Sequence, residues 1–141
     1  MDYKQYIIVR KDLEMTCGKT CVQVSHASLD SYILSNPITR KAWHNEGQRK
    51  IVLQVDSEKE ILDIEKKSND NGLYCALIYD LGLTELAPNT LTACGIEIET
   101  SEKLEPITKG VNYTTLTHGA SCECNGRIIS TPVFRRLSTN R

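Results

Sequence analysis

The chain has 141 residues, enough for one domain with a hydrophobic core, and no apolar run reaches the roughly 20 residues of a membrane-spanning helix. The net charge of −1, from 17 basic and 18 acidic residues, excludes a globally basic nucleic-acid binder, so a polyanionic partner would have to meet local positive patches. The six cysteines are irregularly spaced and the N-terminus lacks a signal peptide, so we expect a reduced, cytoplasmic protein rather than a disulfide scaffold.

Predicted strands and helices alternate over the first 110 residues. Hydrophobic periodicity places them in the order strand 3–10, helix 18–35, helix 38–46, strand 50–55, helix 57–72, strand 73–79, strand 91–99 and short helix 101–109. Asn36-Pro37 supplies an N-cap and a first-turn proline for the second helix, and Ser57-Glu58-Lys59-Glu60 forms a capping box for the third. The alternation predicts a three-layer α/β/α fold with a largely parallel or mixed sheet.

The strand at 73–79 is almost continuously apolar. Such a run is typical of a central strand whose two faces are both covered, so we expect this strand in the middle of the sheet. It ends at Asp80, and the loop that follows is held by Gly82 and Pro88. The sequence therefore predicts a carboxylate at the end of a central strand.

Residues 111–141 differ in composition from the preceding part of the chain. They hold four arginines against Glu123, a net charge of +3, whereas residues 1–110 hold 13 basic and 17 acidic residues, a net charge of −4. Asn125-Gly126 is a type I′ hairpin signal. We predict a domain over 1–110 and a C-terminal extension over 111–141, which is either a small β addition or a partly disordered tail.

The first predicted helix carries a polar stripe. At helical spacing i, i+4, i+7 and i+11, one face holds Lys19, Gln23, His26 and Asp30. Val22, Leu29 and Ile33 form a flanking apolar stripe that should pack on the sheet. A lysine in the first turn lies at the positive end of the helix macrodipole, so we expect an anion opposite Lys19. The alternative is an ordinary amphipathic helix with a solvated polar face.

Two familiar motifs are incomplete in this chain. Gly18-Lys19-Thr20 after a strand matches the end of a nucleotide-binding P-loop, but the glycine required five positions earlier is Leu13. His118, Cys122 and Cys124 offer three zinc ligands without a fourth at a clear spacing. We therefore expect neither nucleotide binding nor a metal site, and we interpret the cysteines as buried or idle thiols.

A polar site at strand ends is a stronger hypothesis. In open α/β sheets, ligands bind where strands end and helices begin. Asp80 ends one strand and Lys19 begins the helix after another, so the two side chains would converge if these strands were neighbours. Thr84, Thr90 and Thr92 would add hydroxyls at the same rim. On spacing alone, a structural Lys–Asp pair with exposed threonines is an equally good interpretation.

Three motifs in this order resemble the archaeal/eukaryotic type II peptidyl-tRNA hydrolases over about residues 4–110. The family stretch D-L-x-M-G-x-G-K-x-A-A-Q-x-x-H-A corresponds to DLEMTCGKTCVQVSHA at 12–27. The family pattern W…G-Q-x-K corresponds to Trp43, Gly47, Gln48 and Lys50. The pattern D-x-G-x-T-x-x-x-P-G-[ST]-x-T…G-I corresponds to residues 80–96, from Asp80 to Ile96. Departures include Thr16-Cys17 for a Gly and a commonly basic residue, and Glu97-Ile98 for Gly-Pro.

The resemblance implies a small enzyme with a mixed, roughly four-stranded sheet that cleaves the ester joining a peptide to the 3′ ribose of tRNA. It implies peptidyl-tRNA as partner, no membrane and no organic cofactor, and a homodimer is left open. The catalytic residues it implies are Lys19, Asp80, Thr84, Thr92 and His26. Expected substrate contacts are Gln23, Thr90 and the basic residues Lys11, Arg49 and Lys50. Either Asp80 or His26 could be the base, and a non-catalytic RNA- or protein-binding module is the alternative function.

Overall fold

The computed structural model describes residues 2–113 of the chain. Its elements, in chain order, are β1 Tyr3–Arg10, α1 Cys17–Leu34, α2 Pro37–Asn45, β2 Lys50–Val55, α3 Glu58–Asp70, β3 Cys75–Asp80, β4 Thr90–Ile96, β5 Glu99–Thr100, α4 Ser101–Thr108 and β6 Asn112–Tyr113. Each predicted helix and strand of the first 110 residues is therefore present within a few residues of its expected position. Within residues 2–113, no helix combines the length and the apolar character that a membrane-spanning segment needs.

Local capping signals set the starts of α2 and α3. The Asn36 side chain accepts a hydrogen bond from the backbone N–H of Ile38 at 2.8 Å, one residue after the first-turn proline. The Ser57 hydroxyl accepts from the backbone N–H of Glu60 at 3.2 Å, and the Glu60 carboxylate accepts from the backbone N–H of Asp56 at 2.6 Å. Because these side chains satisfy helix N–H groups that have no partner inside the helix, both boundaries could be read from the sequence.

The strands form one mixed sheet in the order β3-β4-β1-β2-β6, and β5 pairs with the start of β1. Among the described strands, β1 and β2 are the one parallel pair, and the other pairs are antiparallel. The sheet thus has four long strands and two strands of two residues. Its central strand is β1, where five consecutive residues, 5–9, are buried. The predicted mixed α/β fold is confirmed.

The expected central position of the strand at 73–79 is wrong. β3 lies at an edge of the sheet and pairs with β4 alone among the described strands. Its burial alternates, and the side chain of Tyr79 is half exposed. The apolar side chains of Cys75 and Leu77 are covered from one face by α3, which an uninterrupted apolar run cannot distinguish from coverage of both faces.

Helices cover both faces of the sheet, which confirms the three layers. Because side chains of a strand alternate between faces, Tyr6 and Ile8 of β1 pack with α3 and α4, whereas Ile7 and Val9 face α1. The first core includes Ile61, Ile64, Leu104 and Ile107. The second core is smaller and includes Ala27, Ile78 and Ala93.

The predicted packing of α1 is wrong. Val22, Leu29 and Ile33 were expected on the sheet, but their side chains are 48%, 57% and 59% exposed. The buried residues of α1 are instead Gln23, Ala27 and Ser31.

Close approach and polar pairing explain this orientation of α1. A Cβ placed on Gly95 of β4 would lie 2.4 Å from the carbonyl oxygen of Ala27, so only small residues fit between the helix and the sheet. Gln5 of β1 donates to the Ser31 hydroxyl at 2.9 Å and to the Ser28 carbonyl at 2.8 Å, and it accepts from the Ser28 hydroxyl at 2.8 Å. The buried polar groups are therefore satisfied, and the polar side of the helix can face the sheet.

The sheet continues beyond residue 110. β6 pairs antiparallel with β2, with Tyr113 opposite Leu53. The rest of the predicted extension lies outside the described residues. The hairpin at Asn125-Gly126 and the His118–Cys124 group lie there too, so these interpretations stay predictions.

Candidate active site

The ammonium of Lys19 and the carboxylate of Asp80 form an ion pair where β3 ends and α1 begins. Their side chains are 13% and 9% exposed, so the pair is partly shielded from water. Lys19 also donates to the hydroxyl of Thr84 at 2.9 Å. The strands that precede these residues are not neighbours, since β4 lies between β1 and β3. The side chains converge because α1 crosses β4 and reaches β3.

Three donors hold the carboxylate of Asp80. Besides Lys19, the backbone N–H of Gly82 donates to Oδ2 at 2.8 Å and the amide of Gln23 donates to Oδ1 at 3.3 Å. The hydrogen bond from Lys19, followed by that from Gly82, lowers the pKa of Asp80 below its ordinary value, because both stabilise the charged form. Asp80 is therefore a fixed negative charge and a weak proton acceptor at neutral pH.

Gln23 connects the ion pair to the interior of the domain. Its side chain is buried, and its Oε1 accepts a hydrogen bond from the Thr92 hydroxyl at 2.5 Å while its Nε2 faces Asp80. Thr92 is fully buried, so its hydroxyl contacts Gln23 and does not reach the surface, although the sequence placed it at the rim.

A β-bulge in β4 directs Thr92 toward α1. Ile78 pairs with Ala93 and the next residue, Tyr79, pairs with Leu91, so Thr92 is an extra residue in its strand. The bulge changes the alternation of β4, because Leu91 faces the α3 core while Thr92 and Ala93 both face the α1 side. The sequence carries no clear signal for this bulge.

Glu85 attaches the loop after β3 to the start of α1, and sequence reasoning missed it. Its carboxylate accepts from the backbone N–H of Thr16 at 3.1 Å and from the Thr16 hydroxyl at 2.5 Å. Thr16 is the N-cap of α1, and its hydroxyl accepts from the backbone N–H of Lys19 at 3.3 Å. The hydrogen bond from the Thr16 hydroxyl is the main reason why the pKa of Glu85 is lowered. This attachment keeps Thr84 beside Lys19.

A tight turn gives the same loop its path. Gly82 has a φ of 76°, and a Cβ there would lie 2.4 Å from the backbone nitrogen of Pro88. Only glycine fits such a position. The N–H of Gly82, which holds Asp80, is thus presented by a turn that no other residue would form without strain.

The other predicted substrate contacts are divided between the two ends of the sheet. Thr90 pairs with Asp80 across β3 and β4, and its hydroxyl donates to the carbonyl of Ala87 at 2.6 Å and so stabilises the loop. Arg49 pairs with Asp2, and the Lys50 ammonium lies 4.7 Å from the ring centroid of Trp43. Both basic residues are where β2 begins, opposite the end of the sheet that carries Asp80. Lys11 is exposed and follows β1 at the Asp80 end.

An open groove of about 610 Å³ extends from the ion pair along the edge of β3. On one side it is lined by the predicted polar stripe of α1, Lys19, Gln23, His26 and Asp30. On the other side it is lined by β3 residues and the following loop, residues 77–81, 83 and 84. Leu81 and Leu83 are exposed apolar side chains at its mouth. Within residues 2–113, no three His, Cys, Asp or Glu side chains are grouped as metal ligands.

This arrangement is suited to the hydrolysis of a ligand whose reacting group carries no charge. The Asp80 carboxylate can accept a hydrogen bond from water, and an ammonium has three N–H donors, two of which Lys19 uses for Asp80 and Thr84. Because Thr84 accepts from Lys19, its own hydroxyl hydrogen is available to a ligand. Partial shielding strengthens each of these electrostatic interactions relative to water.

Comparison with known proteins gives consistent matches. A family model for "Peptidyl-tRNA hydrolase PTH2" matches residues 3–113. A peptidyl-tRNA hydrolase of Methanococcus maripaludis strain C6 is 47% identical over 110 residues, covering 76% of this chain and 95% of the relative. One from Methanocaldococcus jannaschii is 42% identical over 108 residues, covering 74% and 94%. A solved protein of unknown function from Agrobacterium strain C58 shares the fold, with a TM-score of 0.53 at 14% identity over 82% of this chain and 99% of that chain.

Proposed function

The chain belongs to the peptidyl-tRNA hydrolase PTH2 family, and we propose that the Lys19–Asp80 pair is where it cleaves the ester between a peptide and the 3′ ribose of tRNA. The family match over 3–113 includes the whole site. The observation that carries this assignment is the convergence of an ammonium, a carboxylate and a hydroxyl beside an open groove. No comparison favours the alternative of a non-catalytic binding module.

The roles of the residues follow from the chemistry of ester hydrolysis. The reaction needs an oriented water, stabilisation of the oxyanion and a proton for the leaving ribose oxygen. We assign Asp80 to orienting the water and Lys19 to stabilising the developing negative charge. Thr84 would donate its free hydroxyl hydrogen to the water or to the ribose oxygen.

His26 lines the groove two turns along α1 from Lys19 and is assigned a supporting role beside the water. The identity of the base is tested by the pH dependence of single-turnover hydrolysis. If Asp80 acts as the base, its lowered pKa makes the rate independent of pH across the neutral range. A loss of single-turnover hydrolysis in folded His26→Ala as large as that in Asp80→Asn would instead assign the base to His26.

The test of the function is selective turnover. We expect the protein to release peptide from N-acetyl-aminoacyl-tRNA and longer peptidyl-tRNAs, and to leave aminoacyl-tRNA with a free α-amino group largely intact. The matched control is Asp80→Asn, measured at equal folded concentration. Binding of tRNA without release of the peptide would favour the non-catalytic module.

We propose that the tRNA phosphates are contacted by Lys11 and by the four arginines of the C-terminal segment. Removal of residues 114–141 should leave β6 in place, weaken tRNA binding and reduce the slope of log affinity against log salt, by about 0.9 per lost phosphate contact on duplex regions. Replacing the same arginines by glutamine is the control that separates charge from chain length. An unchanged slope in both variants would rule out phosphate contacts by this segment.

The oligomeric state and location are proposed on separate grounds. The exposed apolar side chains of α1, Val22, Leu29 and Ile33, are suited to an interface with a second copy, so we propose a homodimer. Sedimentation of Ile33→Glu should show a monomer, and a monomeric unaltered protein would contradict the proposal.

We place the protein in the cytoplasm because its substrate arises during translation.

A further inference from the structure

We propose that the open edge of β3 binds the peptide part of the substrate as an added parallel strand, an inference that rests on the peptidyl-tRNA hydrolase function. The sheet order leaves one side of β3 without a neighbouring strand among the described residues. This strand lacks the lysines and prolines that commonly block sheet edges, since its sequence is Cys-Ala-Leu-Ile-Tyr-Asp. An open edge of this kind is able to pair with an extended peptide.

The backbone groups that face outward can be identified from the bonds that face inward. The carbonyl of Tyr74 accepts from the backbone N–H of Glu97 at 2.9 Å, and the carbonyl of Ile78 accepts from the Thr92 hydroxyl at 3.3 Å, so both point toward β4 and its continuation. Because backbone groups alternate along a strand, the N–H and C=O of Leu77 point away from β4. The strand therefore offers outward donors and acceptors immediately before Asp80.

The groove connects this edge to the reacting centre. The same groove is lined by Leu77 and Tyr79 of β3 and by Lys19, His26 and Asp30 of α1. It thus runs from the ion pair back along the strand, parallel to the edge. A peptide whose C-terminal ester lies at Asp80 must extend in this direction, with its chain parallel to β3.

Main-chain pairing matches what this substrate demands. Peptides attached to tRNA differ in sequence, so side-chain pockets would accept only a few of them, whereas backbone hydrogen bonds are common to all. Such pairing requires peptide N–H and C=O groups upstream of the ester. Aminoacyl-tRNA has no peptide bond and would lose this pairing altogether.

Pairing with β3 should use the backbone N–H of every second residue of the peptide. In a β-strand, alternate N–H groups face the neighbouring strand, so N-methylation should matter at every second residue. With tetrapeptidyl-tRNAs carrying a single N-methyl group, we expect kcat/KM to fall about 3- to 10-fold at alternate positions and to stay near its original value between them. Substituting the side chains of the peptide without changing its backbone should alter kcat/KM less.

A backbone variant gives an independent test. Leu77→Pro removes one outward N–H at an edge position where proline is tolerated, and Leu77→Ala shortens the same side chain while keeping that N–H. We expect the tetrapeptidyl substrate to lose about 3- to 10-fold in kcat/KM in the proline variant relative to the alanine variant. Thermal unfolding of both variants establishes that folded proteins are compared. If Leu77→Pro fails to fold, the N-methyl series on the unaltered protein still decides.

The outcomes separate the inference from the function on which it rests. A period-two pattern that is weakened in Leu77→Pro supports strand addition. Equal rates across the N-methyl series, with N-acetyl-aminoacyl-tRNA still cleaved, would overturn it and leave the hydrolase function intact. Dissociation of a dimer by Leu77→Pro would show that a second copy occupies the edge, and this too would overturn it. If no substrate is cleaved, the function itself fails.

Discussion

Among residues 2–113, the face of the sheet under α3 and α4 is closed by a contiguous cluster of thirteen buried apolar residues, whereas the cluster on the α1 face has six. On the α1 face, buried polar side chains replace much of the missing apolar contact. Gln5 pairs with two serines of α1, and Gln23 joins Thr92 to Asp80. The comparison indicates that one face supplies most of the stability and the other holds the Lys19–Asp80 pair in place.

The largest expected effect comes from disrupting the Lys19–Asp80 ion pair on the α1 side of the sheet. Asp80→Asn keeps the shape of the side chain but removes the charge, and we expect single-turnover hydrolysis to fall roughly 10²–10⁴-fold with little change in tRNA affinity. Lys19→Ala should cause a comparable loss. The double variant should be little worse than the worse single variant, because the two residues act as a unit.

A purely structural ion pair would behave differently. Both single variants would then lose stability while their folded fraction kept its specific activity. Thermal midpoints and single-turnover rates on the same four proteins separate the two cases. Full activity of folded Asp80→Asn would contradict the catalytic assignment.

A cavity in the core under α3 and α4 should lower the stability of the fold and leave the rate of hydrolysis unchanged. Ile61 of α3 is fully buried, so Ile61→Ala should lower the free energy of unfolding by about 2–5 kcal/mol. We expect the folded fraction to retain its kcat, since this residue is on the opposite side of the sheet from Lys19. Denaturant unfolding measures the change, and Leu62→Ala, at a partly exposed position of the same helix, is the matched control.

The link between the reactive groups and the interior can be tested at Thr92. Thr92→Val keeps the volume but leaves the buried Oε1 of Gln23 without its donor, which should cost about 1–3 kcal/mol of stability. We expect kcat to fall about tenfold, because Gln23 holds Asp80 less firmly, with KM nearly constant. Thr92→Ser restores the hydroxyl and should recover the rate. A change in KM alone would place Thr92 in contact with substrate.

The smallest expected effect is a dependence of stability on acid pH. The folded-state pKa of Asp80 is below its unfolded value, so its contribution to stability is present above about pH 4 and is lost as the pH falls through the folded-state pKa. Asp80→Asn should therefore unfold with a flatter pH dependence on the acid side. Equal slopes for the two proteins below pH 4 would show that Asp80 is not stabilised by its partners.

Features that depend on near neighbours in the chain could be predicted. Asn36-Pro37 and the Ser57 capping box set two helix starts, and the short motifs around Lys19 and Asp80 indicated the residues that meet in the structure. Asp80 and Lys19 are separated by 61 residues, but the motifs place them at a strand end and a helix start.

Features that depend on how elements pack could not be predicted. The edge position of β3 is set by the order of the strands in the sheet, which an apolar run in the sequence does not indicate. The polar side of α1 faces the sheet because of Gly95 and Gln5, which belong to β4 and β1. The contact between Glu85 and Thr16 joins residues that are 69 positions apart, with no local pattern to indicate it.

Gly95 also fixes the height of α1 above the sheet. A methyl group at this position would meet the carbonyl oxygen of Ala27 at 2.4 Å, where an ordinary contact needs at least 3.4 Å, so the helix would have to rise by about 1 Å. Lys19 belongs to the same continuous helix and would be displaced with it, while Asp80 stays on β3. A change of that size is enough to disrupt a near-attack geometry. The missing side chain of residue 95 therefore sets the distance between Lys19 and Asp80 in the candidate site.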